Sequence, residues 1–119
     1  MGTTDDYRIN VLRPADGLVV VRASGGIDVA GSVDFRHRLL SLLDEYAGRL
    51  VVDLSDADYV DTYALSVLVD VAIRCRVEDR RLALVCSEGR MRRALAATGL
   101  DQFVDTYDTL DEALGHDER

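Results

Sequence analysis

An α/β layer fold is what this chain predicts: a mixed sheet of about five strands with about four helices, in the order ββαβαβαβα. Three observations predict it. Two β-like runs open the chain across a Pro and Asp-Gly turn; from Val29 onward, apolar residues at helical spacing alternate with short continuous apolar runs; and Gly or Asp/Ser clusters mark each change. After the opening hairpin, the later strands are expected to run parallel through right-handed crossovers. Ligand sites in such sheets favour the carboxyl ends of the strands.

The first two strands are Tyr7-Arg8-Ile9-Asn10-Val11-Leu12 and Leu18-Val19-Val20-Val21-Arg22-Ala23, joined by Arg13-Pro14-Ala15-Asp16-Gly17. Proline pre-sets φ for a turn and Asp-Gly accepts positive φ, so an antiparallel hairpin follows. Ser24-Gly25-Gly26 is expected to end the second strand. An amphipathic helix over about 29–46 is predicted from the apolar stripe Val33, Leu39, Leu40, Leu43 and Tyr46, with Gly48 as its stop. Arg49 to Leu54 is the third strand, and an acidic loop leads to a helix from about Thr62 to Glu78, in which Leu65, Leu68, Val69, Ala72 and Ile73 recur at three and four. Arg81 to Cys86 is the fourth strand. Ser87 suits an N-cap for a helix through Met91, Leu95 and Ala96 to Gly99. Gln102 to Tyr107 is a short fifth strand, and Thr109 with Glu112 has the capping-box spacing for a last helix toward Gly115, with a frayed tail from His116.

With 119 residues, 48% hydrophobic and 30% charged, the chain is long enough for one domain with a real core, the expected core running from about residue 7 to 115. No apolar run approaches the ~20 residues of a membrane span. The acidic start Met1-Gly2-Thr3-Thr4-Asp5-Asp6 lacks the apolar centre of a signal peptide, so a cytoplasmic location is expected. A formal charge of −8 argues against general nucleic-acid binding and favours a partner with a basic patch. All 14 basic side chains are arginine, so chemistry needing a lysine ammonium is unavailable. Cys75 and Cys86 are read as core-filling thiols rather than a bridge.

The segment Tyr59-Val60-Asp61-Thr62-Tyr63-Ala64-Leu65-Ser66-Val67-Leu68 joins the third strand to the second helix and sets Thr62 at or beside the helix start. First-turn amides lack carbonyl partners and the macrodipole is positive there, so an anion on Thr62 is tolerated locally. A phosphate of about −1.5 to −2 charge, beside Asp53, Asp56, Asp58 and Asp61, would change what the surface can bind. The blander reading makes Thr62 part of a cap, with Asp61 as the capping residue.

Other chemistries are weaker. The aspartate cluster lacks the run and closing glutamate of a calcium loop, and no metal or cofactor is expected. Asp53, near the end of the third strand, invites a phosphoaspartate reading, which needs the missing lysine. His37 and His116 belong to no catalytic constellation. Gly25-Gly26 lacks the spacing of a nucleotide cradle, and the arginines 74, 76, 80, 81, 90, 92 and 93 read as wet helix faces.

Four stretches are specific when taken together. Gly25-Gly26-Ile27-Asp28 is similar to Gly-Glu-(Ile/Leu)-Asp, Val51-Val52-Asp53-Leu54-Ser55 to a family third strand, and Val60-Asp61-Thr62-Tyr63-Ala64-Leu65-Ser66-Val67-Leu68 to Met-Asp-Ser-Ser-Gly-Leu-Gly-Val-Leu. Thr98-Gly99-Leu100 with Thr109-Leu110-Asp111-Glu112-Ala113-Leu114 resembles Thr-Gly-Leu followed by Ser-Leu-Glu-Glu-Ala-Leu. The chain thus resembles STAS domains, specifically bacterial anti-sigma-factor antagonists, from about residue 7 to 115. That resemblance implies a non-enzymatic regulator. When unphosphorylated it binds an anti-sigma factor that is also a serine/threonine kinase, and phosphorylation at Thr62 ends the binding; a PP2C-type phosphatase would reverse it. It implies a partner surface around Gly25, Gly26, Asp28, Asp61, Thr62, Tyr63 and Ser66, on a monomer or weak homodimer. Tyr63, Ala64 and Ser66 replace smaller family residues and are expected to crowd the kinase-facing turn, and Gly26 replaces a glutamate. Stressosome STAS proteins also carry a bulky residue after their Ser or Thr, so a never-phosphorylated scaffold, stressosome-like or within a lipid-transport system, is the alternative.

Overall fold

The computed structural model describes residues 6–87 and 89–116. Its strands β1 (Arg8–Ala15), β2 (Leu18–Ile27), β3 (Arg49–Val60), β4 (Leu82–Val85) and β5 (Asp105–Tyr107) form one sheet in chain order. Between them run α1 (Val29–Glu45), α2 (Thr62–Val77), α3 (Arg90–Ala97) and, last, α4 (Leu110–His116), with a short 3-10 turn over Leu100–Gln102. β1 pairs antiparallel with β2, and every later neighbour pairs parallel. The predicted element order and the mixed sheet are those observed.

Strand alternation sorts the apolar residues onto two faces. Val19, Val21, Ala23 and Ile27 of β2 and Leu50, Val52 and Leu54 of β3 meet Phe35 and Leu39 of α1, Val67, Leu68 and Val71 of α2, and Leu95 of α3 in the larger core. On the other face, Leu18, Val20, Val51, Ala83 and Val85 lie with Ala113 of α4. Covering on both faces explains why the central strands read as unbroken apolar runs.

Several boundaries differ from expectation, each for a physical reason. β1 continues through Arg13-Pro14-Ala15, leaving Asp16-Gly17 as the turn; an edge strand tolerates proline because one row of its amides faces outward. The Arg13 guanidinium stacks 4.6 Å over the Tyr46 ring and ties this hairpin to the end of α1. Ser24-Gly25-Gly26 does not end β2, and the acidic stretch after Leu54 is not a loop: β2 and β3 stay paired to Ile27 and Val60. Between Arg22 and Ser24, and again between Gly25 and Gly26, β3 advances one residue further than β2, so two bulges break the alternation that would have marked a strand.

The predicted apolar stripe of α1 holds at Leu39 and Leu43, which are buried, and at Leu40 and Tyr46, which pack against the core, and differs at its start. Val33 is exposed, while Gly31, Ser32 and Phe35 are buried. Ile73 of α2 is likewise exposed. The third helix begins at Arg90 with Gly89, not Ser87, as N-cap, because the chain turns there at φ 130°, open to glycine, while Arg92 reaches back to the Cys86 carbonyl. β5 is limited to Asp105–Tyr107, since Leu100–Gln102 coils into the 3-10 turn. Thr109 accepts from the Glu112 amide at 3.1 Å as predicted. The tail expected to fray lies, from 117 on, outside the described residues.

Two arginines assigned to wet faces are structural. Arg80 donates to the carbonyls of Leu43 and Tyr46 and so satisfies the carboxyl end of α1, and Arg92 bridges the Cys86 carbonyl to Asp108 at 2.8 Å. Cys75 and Cys86 are free, buried thiols, and burial pushes the pKa of both up. Iodoacetamide at neutral pH is therefore expected to leave both unlabelled in the native protein and to modify both in denaturant. Mass spectrometry checks this, and rapid native labelling would contradict the packing.

Tyr7 holds the start of β1 against α1. Its hydroxyl donates to Asp34 Oδ2 at 2.7 Å, and its ring lies over Gly31, where an added Cβ would stand 3.1 Å from Tyr7 Cγ. Burial, followed by the hydrogen bond to Asp34, pushes this phenol well above its usual value of 10.0. The native state therefore keeps a proton that the unfolded chain loses. The contribution is whole below pH about 10 and falls as pH rises past it. Tyr7→Phe is expected to be about 1 kcal/mol less stable at neutral pH and to lose less stability from pH 9 to 11. Urea titrations at those pH values check it; parallel losses in the two proteins would refute the contact.

Candidate functional site

Two helix starts stand side by side at one end of the sheet. β2 ends at Ile27 and β3 at Val60, which are register partners, and the next residue on each strand, Asp28 or Asp61, is the N-cap of the following helix. Asp28 Oδ1 accepts from the Gly31 amide at 3.0 Å, and Asp61 Oδ1 accepts from the Ala64 amide at 2.8 Å. The Asp61 amide donates to the Ile27 carbonyl at 3.0 Å, which locks the two caps together. Neither first turn carries an acidic residue of its own, so the two carboxylates answer the positive ends of both macrodipoles.

Thr62 is the first helical residue of α2 and is exposed. Asp61 takes the capping role, which leaves the Thr62 side chain outside the cap. Tyr63 is 43% exposed beside it. The expectation that Tyr63, Ala64 and Ser66 together crowd the turn is corrected for Ala64, which is fully buried in the core. Ser66 is exposed, but its hydroxyl donates to the Tyr63 carbonyl at 2.6 Å. Gly25 and Gly26 are both buried. Gly25 sits at φ 78°, and a Cβ there would lie 2.0 Å from the Asp6 carbonyl oxygen, so this glycine shapes the backbone beneath the site.

Asp53 is 2% exposed and its carboxylate is fully engaged. One oxygen accepts from the Ser55 amide at 2.9 Å and from the Ser55 hydroxyl, and the other lies 3.3 Å from Arg22 Nε. Arg22 continues to Asp56 at 3.2 Å. Burial and these contacts give Asp53 a structural role that ties β2 to β3. The described residues contain no group of three His, Cys, Asp or Glu able to hold a metal ion.

Sequence reasoning missed the apolar residues of this end. Val29 and Val33 of α1 are 70% and 57% exposed, and Tyr59 at the end of β3 is 46% exposed. The sequence placed Val29 only as the start of the first helix and assigned Val33 to its apolar stripe. The placement of Tyr59 was not legible, because it depends on the two bulges.

The STAS domain model matches residues 11–113. The chain belongs to the STAS domain family. An anti-sigma factor antagonist from Mycobacterium paratuberculosis has the same fold with a TM-score of 0.84 at 27% identity, over 98% of this chain and 97% of that one. A Mycobacterium tuberculosis protein that bears the name of an anti-anti-sigma factor is 34% identical over 97 residues, 75% of this chain and 66% of that protein. The chain thus spans just under two thirds of the length of the first curated relatives it matches. The antagonist SpoIIAA in its unphosphorylated form shares the STAS fold at a TM-score of 0.79 and 14% identity, over 93% of this chain and 96% of that one. No described helix of this STAS chain is long and apolar enough to cross a membrane.

Proposed function

We propose that this STAS protein is an anti-sigma factor antagonist that works by partner switching. Unphosphorylated, it binds a kinase-type anti-sigma factor across the paired helix starts; phosphorylated on Thr62, it lets that factor go. The observation that carries the reading is an exposed hydroxyl one residue past the Asp61 cap, on a helix whose neighbour in the sheet is capped by Asp28. A kinase that docks there has the acceptor within its contact area. The product then carries a dianion directly after the Asp61 carboxylate, and that charge needs a hydration shell that a close-packed interface removes. The protein is a substrate in this scheme, and a PP2C-type phosphatase returns it to the binding form. SpoIIAA, which has the same fold, is known in a phosphorylated form as well as an unphosphorylated one.

The test is to incubate the chain with a purified kinase-type anti-sigma factor from its own genome and ATP, then map the product by phosphopeptide mass spectrometry. A single phosphate on Thr62 is expected. A second reading, a scaffold that is never phosphorylated, is favoured by the exposed phenol of Tyr63 beside the acceptor, which suits an interface anchor. It predicts binding that ATP leaves unchanged and no phosphopeptide.

A further inference from the structure

Tyr59 is an exposed aromatic next to the helix starts that neither cap uses. It is the register partner of Gly26, and its ring lies across that glycine. A Cβ on residue 26 would stand 2.4 Å from Tyr59 Cε2, 2.6 Å from Cζ and 2.8 Å from the hydroxyl oxygen. Those are the three nearest atoms, so the obstacle is the ring and not the backbone. Gly26 also lacks the positive φ that explains Gly25. A side chain at residue 26 would therefore have to displace the ring from its present place. The pair places a half-exposed phenol, seated on bare backbone, two residues before Asp28 on one strand and three before Thr62 on the next.

Aromatics fixed in position before binding lose little entropy when they are covered, and tyrosine is enriched among the residues that dominate interface energies. We propose that Tyr59, held by Gly26, is a specificity-determining anchor for the kinase-type anti-sigma factor. The partner feature it selects is an apolar recess bordered by basic side chains, complementary to the ring and to the Asp28 and Asp61 carboxylates beside it. This rests on the docking surface proposed above. If Tyr59 served only to shield the β2 backbone, its loss would change stability and leave affinity alone.

Isothermal titration of purified kinase-type anti-sigma factors from the same genome into the intact chain and its variants separates these roles. Tyr59→Ala and Gly26→Ala are each expected to weaken binding by about tenfold or more, while Tyr59→Phe stays within about threefold of the parent. The double variant Gly26→Ala/Tyr59→Ala should bind no worse than Tyr59→Ala, because an absent ring cannot be displaced. Urea midpoints add a check that needs no partner: Gly26→Ala lowers stability beside Tyr59 and does not beside Ala at 59. Losses that simply add in the double variant overturn the proposal. So do single variants that bind like the parent while Thr62→Glu still releases the kinase, and in that case partner switching stands without the anchor. If no such kinase binds the parent chain, the docking surface itself fails and the anchor fails with it.

Discussion

Thr62→Glu is expected to weaken binding of the kinase-type anti-sigma factor by more than about tenfold, or about 1.4 kcal/mol, while Thr62→Ala binds like the parent and stays bound when ATP is added. The reason is local charge. Residue 62 opens α2 directly after the Asp61 carboxylate, with the Asp28 carboxylate capping the adjacent helix. A negative charge there is tolerated by the free protein, since an acid in a first turn favours the helix by about 0.3–1 kcal/mol. Loss of binding in Thr62→Glu is therefore not loss of fold, and an unchanged or raised urea midpoint should accompany it. Thr62→Gln separates charge from bulk: it matches glutamate in size and should retain most of the affinity. Equal affinities for the Glu, Gln and Ala variants would remove charge as the control.

Gly25→Ala is expected to be the most damaging of the glycine replacements near the site. Gly17 and Gly25 adopt nearly the same left-handed backbone, φ 75° and 78°. A side chain in that conformation costs about 1–2 kcal/mol by itself. At Gly17 nothing lies within 4 Å of an added Cβ, whereas at Gly25 the Asp6 carbonyl oxygen stands 2.0 Å away and its carbon 2.5 Å away. Backbone cannot swing aside as a side chain can. Gly17→Ala thus reports the conformational cost alone, and Gly25→Ala adds displacement of the segment that leads into Tyr7. Denaturant midpoints of the two variants, at unchanged m-value, measure the difference. Matching midpoints would mean that the close approach of Asp6 is not a constraint.

The order of elements was readable because each one carries its own local signal. Asp-Gly marks the hairpin, four-residue apolar spacing marks α1 and α2, and Asp61 is a capping residue placed directly before a helical pattern. The upper halves of β2 and β3 were not readable. Two bulges shift their pairing, and a segment rich in aspartate, serine and glycine has neither alternation nor apolar content to announce a strand. The cost of that gap falls on the site. Thr62 could be named from the chain and Asp28 from the family resemblance, but the contact between Tyr59 and Gly26 depends on a register that only the folded sheet supplies. Arg80 shows the same limit from another side: a cation among exposed arginines in sequence ends up satisfying carbonyls of a helix more than thirty residues earlier.

The most direct measurement is the dissociation constant of the kinase-type anti-sigma factor for the chain phosphorylated on Thr62, set beside the constant for the same preparation after phosphatase treatment. Partner switching predicts at least a tenfold rise in the dissociation constant on phosphorylation, about 1.4 kcal/mol or more, and full recovery once the phosphate is removed. Two equal constants would contradict it.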